Sequence, residues 1–121
     1  MVDQTELKRR TKQFALSVIR LVQSLPRDSV SATIGQQLLR AGTAVGANYR
    51  AACRAKSTAD FISKMGTVEE EADESQYWIE LLVEAGLLKA EQVAASMQEA
   101  DELVAITVSS IQTARLKKSS H

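Results

Sequence analysis

The sequence predicts an all-α protein, an antiparallel up-down-up-down four-helix bundle, and three observations carry that expectation. Apolar residues recur at helical spacing nearly throughout. Breaks are few: among 121 residues there are one proline and five glycines. Aromatic residues make up 4% of the chain, so the core is built from Ala, Leu, Val and Ile, which suits close helix packing better than a sandwich of strands. A chain of this length is one domain, read as spanning residues 1–121 with frayed ends.

The first helix shows Leu7, Phe14, Val18, Leu21 and Leu25 on one stripe, widened by Ala15, Ile19 and Val22. Pro26 stops it, because proline disfavours helix in the preceding residue. The second helix is expected to start between Ser29 and Ser31 and to reach about Arg54. Its stripe is Ile34, Leu38, Ala41, Val45, Tyr49 and Ala52. Beside it run Gly35, Leu39, Gly42, Gly46 and Cys53. Glycine inside a helix costs about 1 kcal/mol relative to alanine. Three on one face imply close approach of another helix, from the same chain or from another subunit.

Ser57 reads as the next N-cap, with Asp60 in capping-box position. The third helix then runs from Thr58 to Ala85 on Phe61, Met65, Val68, Ala72, Ile79 and Leu82, and Gly86 closes it. After a short link, Leu87 to Lys89, the fourth helix carries Val93, Met97, Ala100, Val104, Ile111 and Ala114.

Charge is divided. Met1 to Lys64 holds 11 basic and 4 acidic residues; Met65 to His121 holds 4 basic and 11 acidic, so the two halves are +7 and −7 and the whole is neutral. Zero net charge gives no strong unspecific pull toward nucleic acid or anionic lipid. It suits a chain whose basic half meets an acidic half, its own or a neighbouring copy's. The lone Cys53 excludes an internal disulfide and fits a reducing, cytoplasmic setting. The N-terminus lacks the apolar stretch of a signal peptide, and no run approaches the roughly 18 apolar residues of a membrane span.

Candidate chemistry is sparse. Glu69, Glu70, Glu71, Asp73 and Glu74 form an acidic cluster, and Glu71 and Glu74 share a helix face that could hold Mg²⁺. With Glu99 and Glu102 they loosely resemble the carboxylates of all-α nucleotide pyrophosphohydrolases, although the second pair is Glu-x-x-Glu where that family has Glu-x-x-Asp. The plain alternative is a solvated or interfacial acidic face. The only histidine is His121, which excludes Glu-x-x-His iron sites and histidine-based triads. Cys53 has no base beside it in the sequence and reads as a small buried apolar residue. The expectation is a chain with no catalytic residue, no metal and no cofactor.

Binding surfaces are better supported. On helix three, Glu71, Glu74, Trp78 and Leu81 follow a second face, the composition of an interface anchor; Arg50 and Arg54 are the expected basic counterparts. Trp78 capping one end of the core is the alternative. Asn48 lies on the apolar side of helix two, where Arg40 and Glu71 could satisfy it in a buried polar network. Lys8, Arg9, Arg10 and Lys12 share one end of the bundle with Arg115, Lys117 and Lys118. These seven form a candidate phosphate-contacting patch for RNA, against the alternative of solvated terminal cations. No aromatic residue is interleaved with them, so base stacking is not indicated.

The stretch Gln37 to Phe61 resembles the four-helix-bundle family of 23S rRNA intervening-sequence proteins (S23-type). The likeness rests on Gln37, Leu38 and Arg40, small residues and then Asn48, and Ser57 with Asp60 and Phe61. Glu71, Glu74, Trp78, the Leu81–Leu82 pair and Gly86 followed by leucine extend it, so that it covers about Phe14 to Ile111. Where the commoner form has Pro near 46 and Glu-Gly near 51–52, this chain has Gly46, Ala51 and Ala52. The resemblance implies a cytosolic bacterial homo-oligomer, a ring of bundles with pentamers expected, and no established enzymatic activity. Some such proteins are encoded within inserts in rRNA genes. A related group, basic pentamers that bind nucleic acid, serves reverse transcriptases of diversity-generating retroelements; this chain is neutral.

Overall fold

The structure is a computed structural model that describes residues 3–119. Four α-helices and no strands make up the described residues: α1 (Gln4–Gln23), α2 (Ser29–Ala52), α3 (Thr58–Glu84) and α4 (Ala90–Ser119).

Each boundary has a local cause. Asp3 opens α1 by accepting the Glu6 N–H at 2.7 Å, and Asp28 opens α2 by accepting the Ser31 N–H at 2.8 Å. A side-chain acceptor there satisfies an amide that the helix leaves free. Both helices stop a little earlier than the apolar stripes suggest. Ser24 bonds back to Leu21, and Pro26 prevents continuation, so Leu25 lies past the end of α1. After Ala52 the chain tightens, with Arg54 and Ala55 N–H groups bonding three residues back.

Ser57 caps α3 through the Asp60 N–H at 3.0 Å. The box differs from the usual one: Asp60 accepts from the Lys56 N–H, also at 3.0 Å, instead of from the cap residue's own amide. Lys64 further holds the Asp60 carboxylate at 2.6 Å. At the other end Gly86 takes φ +77, and Leu87 and Gly86 N–H groups bond to Leu82 and Val83 carbonyls. This is the left-handed closure that glycine permits without strain.

The helices pack in chain order, α1 on α2, α2 on α3, α3 on α4, and α4 against α1. Between α1 and α4, earlier residues of one helix face later residues of the other. Arg10 meets Glu99 and Glu102, while Ser17 meets Ser96. The core runs the length of the molecule, with Phe14, Val18, Leu38, Val45, Met65, Val68, Ile79, Leu82 and Leu103 at or near zero exposure. Burial of each such side chain contributes about 1.5–3 kcal/mol. No buried side-chain nitrogen or oxygen among the described residues lacks a hydrogen-bond partner.

The helix-two glycines face α1, so the close partner is internal. A Cβ on Gly42 would lie 2.7 Å from both Val18 methyls, one on Gly35 2.8 Å from Leu25, and one on Gly46 3.2 Å from Thr11. No helix among the described residues is long and apolar enough to cross a membrane.

Candidate interaction surfaces

Two arginines organise the seams between helices, and each grips a carboxylate pair one helical turn apart. On the α1–α4 seam Arg10 bonds bidentately to Glu99, at 2.9 and 2.6 Å, and reaches Glu102 at 2.9 Å. Arg10 is 18% exposed, and hydrogen bonding to Glu99 holds its guanidinium firmly in the charged form. On the α2–α3 seam Arg40 bonds to Glu71 at 2.9 Å and also to Glu74. This pair is more open, with Arg40 half exposed. Planar guanidinium forks suit such pairs of oxygens.

Two expected groupings are divided in the structure. Arg10 is half-buried and directs its Nε–H and one terminal amino group to α4 carboxylates. Arg9 likewise pairs with Glu6 on its own helix. Lys8, Lys12, Arg115, Lys117 and Lys118 of the expected patch are exposed. The Asn48 network does not form as expected either. Arg40 and Glu71 meet, but Asn48 lies two turns further along α2, about 12 Å by helical rise. Its amide donates instead to the Ala44 carbonyl at 2.8 Å, within its own helix.

The carboxylate pairs also face different ways. Glu71 and Glu74 turn toward α2, and Glu99 and Glu102 toward α1. The described residues contain no group of three or more potential metal ligands. His121 lies outside the described residues. Cys53 is half-buried beside Tyr49, whose phenol burial pushes upward in pKa.

The α3 face divides more sharply than its spacing suggests. Trp78 is half-buried, packs against the core, and donates its indole N–H to Glu74 at 3.3 Å. The ring that faces solvent is its neighbour Tyr77, 54% exposed, which meets Trp78 edge-on with centroids 5.0 Å apart. Leu81 is half-buried and stands outside the core cluster. Tyr77 escaped the sequence reading because the adjacent tryptophan drew the stripe; its spacing from Glu70, Glu74 and Leu81 was the available signal. Arg50 and Arg54 are exposed at the far end of α2, about 15 Å or more along the helix from Arg40.

Beside the start of α1, between the α2–α3 connection and the C-terminal part of α4, lies a slot of about 500 Å³. Cys53, Phe61 and Ala114 supply apolar lining, and Ser57, Ser109, Ser110, Thr113, Lys56 and Lys117 supply polar lining.

The chain matches the family model of the 23S rRNA-intervening sequence protein over residues 3–109. Its fold is similar to the crystal structure of a protein of unknown function from the S23 ribosomal protein family of Bacteroides thetaiotaomicron VPI-5482. That similarity has a TM-score of 0.81 and 34% identity, and covers 86% of this chain and 96% of the other. No curated protein matches. With a fold similar to that neighbour's and a family match over residues 3–109, the chain belongs to the 23S rRNA-intervening sequence protein family.

Proposed function

We propose that this protein is a non-catalytic, cytoplasmic, antiparallel up-down-up-down four-helix bundle that assembles with copies of itself into a closed ring, with a pentamer expected. The observation that carries the reading is the outer face of α3. Tyr77 and Leu81 lie on it outside the core, with Trp78 at its edge and Glu70, Glu74 and Glu84 around them. An exposed aromatic beside leucine, rimmed by charge, has the make-up of an interface centre. The opposite charges of the two chain halves support contacts between unlike surfaces, which close into rings or continue as filaments. Both i, i+3 carboxylate pairs are engaged by arginine and face different seams, which weighs against the pyrophosphohydrolase alternative.

The test is solution mass. The unmodified chain should sediment as a multiple of its 13.2 kDa, and Tyr77→Glu should shift it toward 13.2 kDa without loss of helix. An unmodified chain that sediments as a 13.2 kDa species contradicts the reading.

A second reading, RNA binding at the end where the termini lie, is favoured by the slot, which Lys56 and Lys117 line, and by the exposed Lys8, Lys12, Arg115 and Lys118 of the first and last helices. It predicts RNA affinity that falls steeply with salt and is lost when these four become glutamate. Salt-independent binding, or none, removes it.

A further inference from the structure

The assembly reading names one sticky face; the structure also holds its counterpart. On the outward side of α1, Arg9, Lys12, Leu16, Arg20 and Gln23 are exposed and recur at helical spacing. Leu16 is 37% exposed and, with the half-buried Ile19, stands outside the core cluster. On the outward side of α3, Glu70, Glu74, Tyr77, Leu81 and Glu84 recur at nearly the same intervals. Each stripe has two apolar side chains at or next to its centre and charge of one sign around them, basic on α1 and acidic on α3.

Their residual charges match as well. Among the described residues Lys8, Lys12 and Arg20 of α1 form no ion pair, and neither do Glu69, Glu70, Asp73, Glu80 and Glu84 of α3. Yet these stripes cannot meet within one molecule. α1 packs on α2 and α4, α3 packs on the same two, and α1 and α3 do not pack on each other. They therefore stand on opposite flanks.

We infer that the α1 stripe of one copy docks on the α3 stripe of the next, so that Leu16 and Ile19 cover Tyr77 and Leu81 while Lys12 and Arg20 face Glu70, Glu74 and Glu84. The occupant is a second copy of this chain because both halves of the match, charge and apolar centre, lie on one polypeptide. Such a contact is head-to-tail. Charge steers the encounter, and the four apolar side chains supply affinity. The inference rests on self-assembly and adds which faces meet.

A mixing experiment separates the two. One variant carries Lys12→Glu, Leu16→Glu and Arg20→Glu, removing the α1 stripe. The other carries Tyr77→Glu and Leu81→Glu, removing the α3 stripe. Circular dichroism confirms that both are folded. Each alone should sediment at 13.2 kDa, and the equimolar mixture should give a one-to-one species of twice that mass, because one intact stripe of each kind remains. If the unmodified chain assembles and both variants keep its mass, the assignment of faces falls and self-assembly stands. If both variants are monomers and the mixture stays at 13.2 kDa, head-to-tail pairing falls. Should a variant fail to fold, a chain with Cys53→Ala, Leu16→Cys and Tyr77→Cys serves. Oxidation should link position 16 of one copy to position 77 of another; links of 16 to 16 or 77 to 77, or none, overturn the pairing.

Discussion

α1 and α3 are alike on the inside and opposite on the outside. Phe14 and Val18 of α1 and Met65, Val68 and Ile79 of α3 are all essentially inaccessible, so both helices contribute to one core in the same way. Outside, α1 carries five basic residues and one acid, whereas α3 carries eight acids and one lysine. The seams absorb part of this charge, through Arg10 with Glu99 and Glu102 and through Arg40 with Glu71 and Glu74. What remains lies on the two outer faces. The comparison separates residues that hold the fold together from residues that the fold does not need.

The largest expected effect tests that separation on a single helix. Phe14→Ala should cost about 3–5 kcal/mol of stability, through lost burial and the cavity left behind. Leu16→Ala, two residues away and 37% exposed, should change the melting temperature little and weaken assembly instead. Denaturant unfolding paired with sedimentation reads both. Equal losses of stability would erase the distinction between inner and outer face.

The clamps sharpen the comparison at intermediate size. Arg10 is mostly covered and bidentate, so Arg10→Met should cost about 1.5–3 kcal/mol, with two carboxylates left facing each other. Arg40 is half exposed, and Arg40→Met should cost about 0–1 kcal/mol. Denaturant melts of the two variants check the order; a larger loss for Arg40 would reverse the relative weight given to the seams.

How far the sequence alone reaches can be seen in the same residues. Pro26, Ser57 and Gly86 act locally, on their own backbone and its nearest amides, and they mark helix ends to within one or two residues. Asp60 was legible as a capping residue, though not its choice of the Lys56 amide. Arg10 and Glu99 are 89 positions apart, and nothing local says that α4 brings them together. Asn48 donates to a carbonyl one turn back, at Ala44, a bond within its own helix that its place on the apolar side does not announce. The α1 stripe around Leu16 went unread because a single leucine between cations looks like an ordinary surface residue. It acquires meaning only when α3 is seen to present its complement on the far flank.

The smallest expected effect concerns acid. Lys64, followed by the Lys56 N–H, lowers the Asp60 pKa from its ordinary 3.8, and the Ser31 N–H and hydroxyl lower that of Asp28. A carboxylate whose folded pKa is depressed stabilises the fold above its unfolded value and loses that contribution as pH falls through the folded one. These caps should therefore weaken only below pH 3.8. Asp60→Asn should flatten stability against pH in that acid range; a change centred near pH 6 would point to other groups.

The central claim is that the outer charge and apolar surface of α1 and α3 serve contact between copies. Sedimentation equilibrium of the unmodified chain at micromolar concentration and moderate salt tests it most directly. The account predicts a discrete multiple of 13.2 kDa, and a 13.2 kDa particle across the whole concentration range would contradict it.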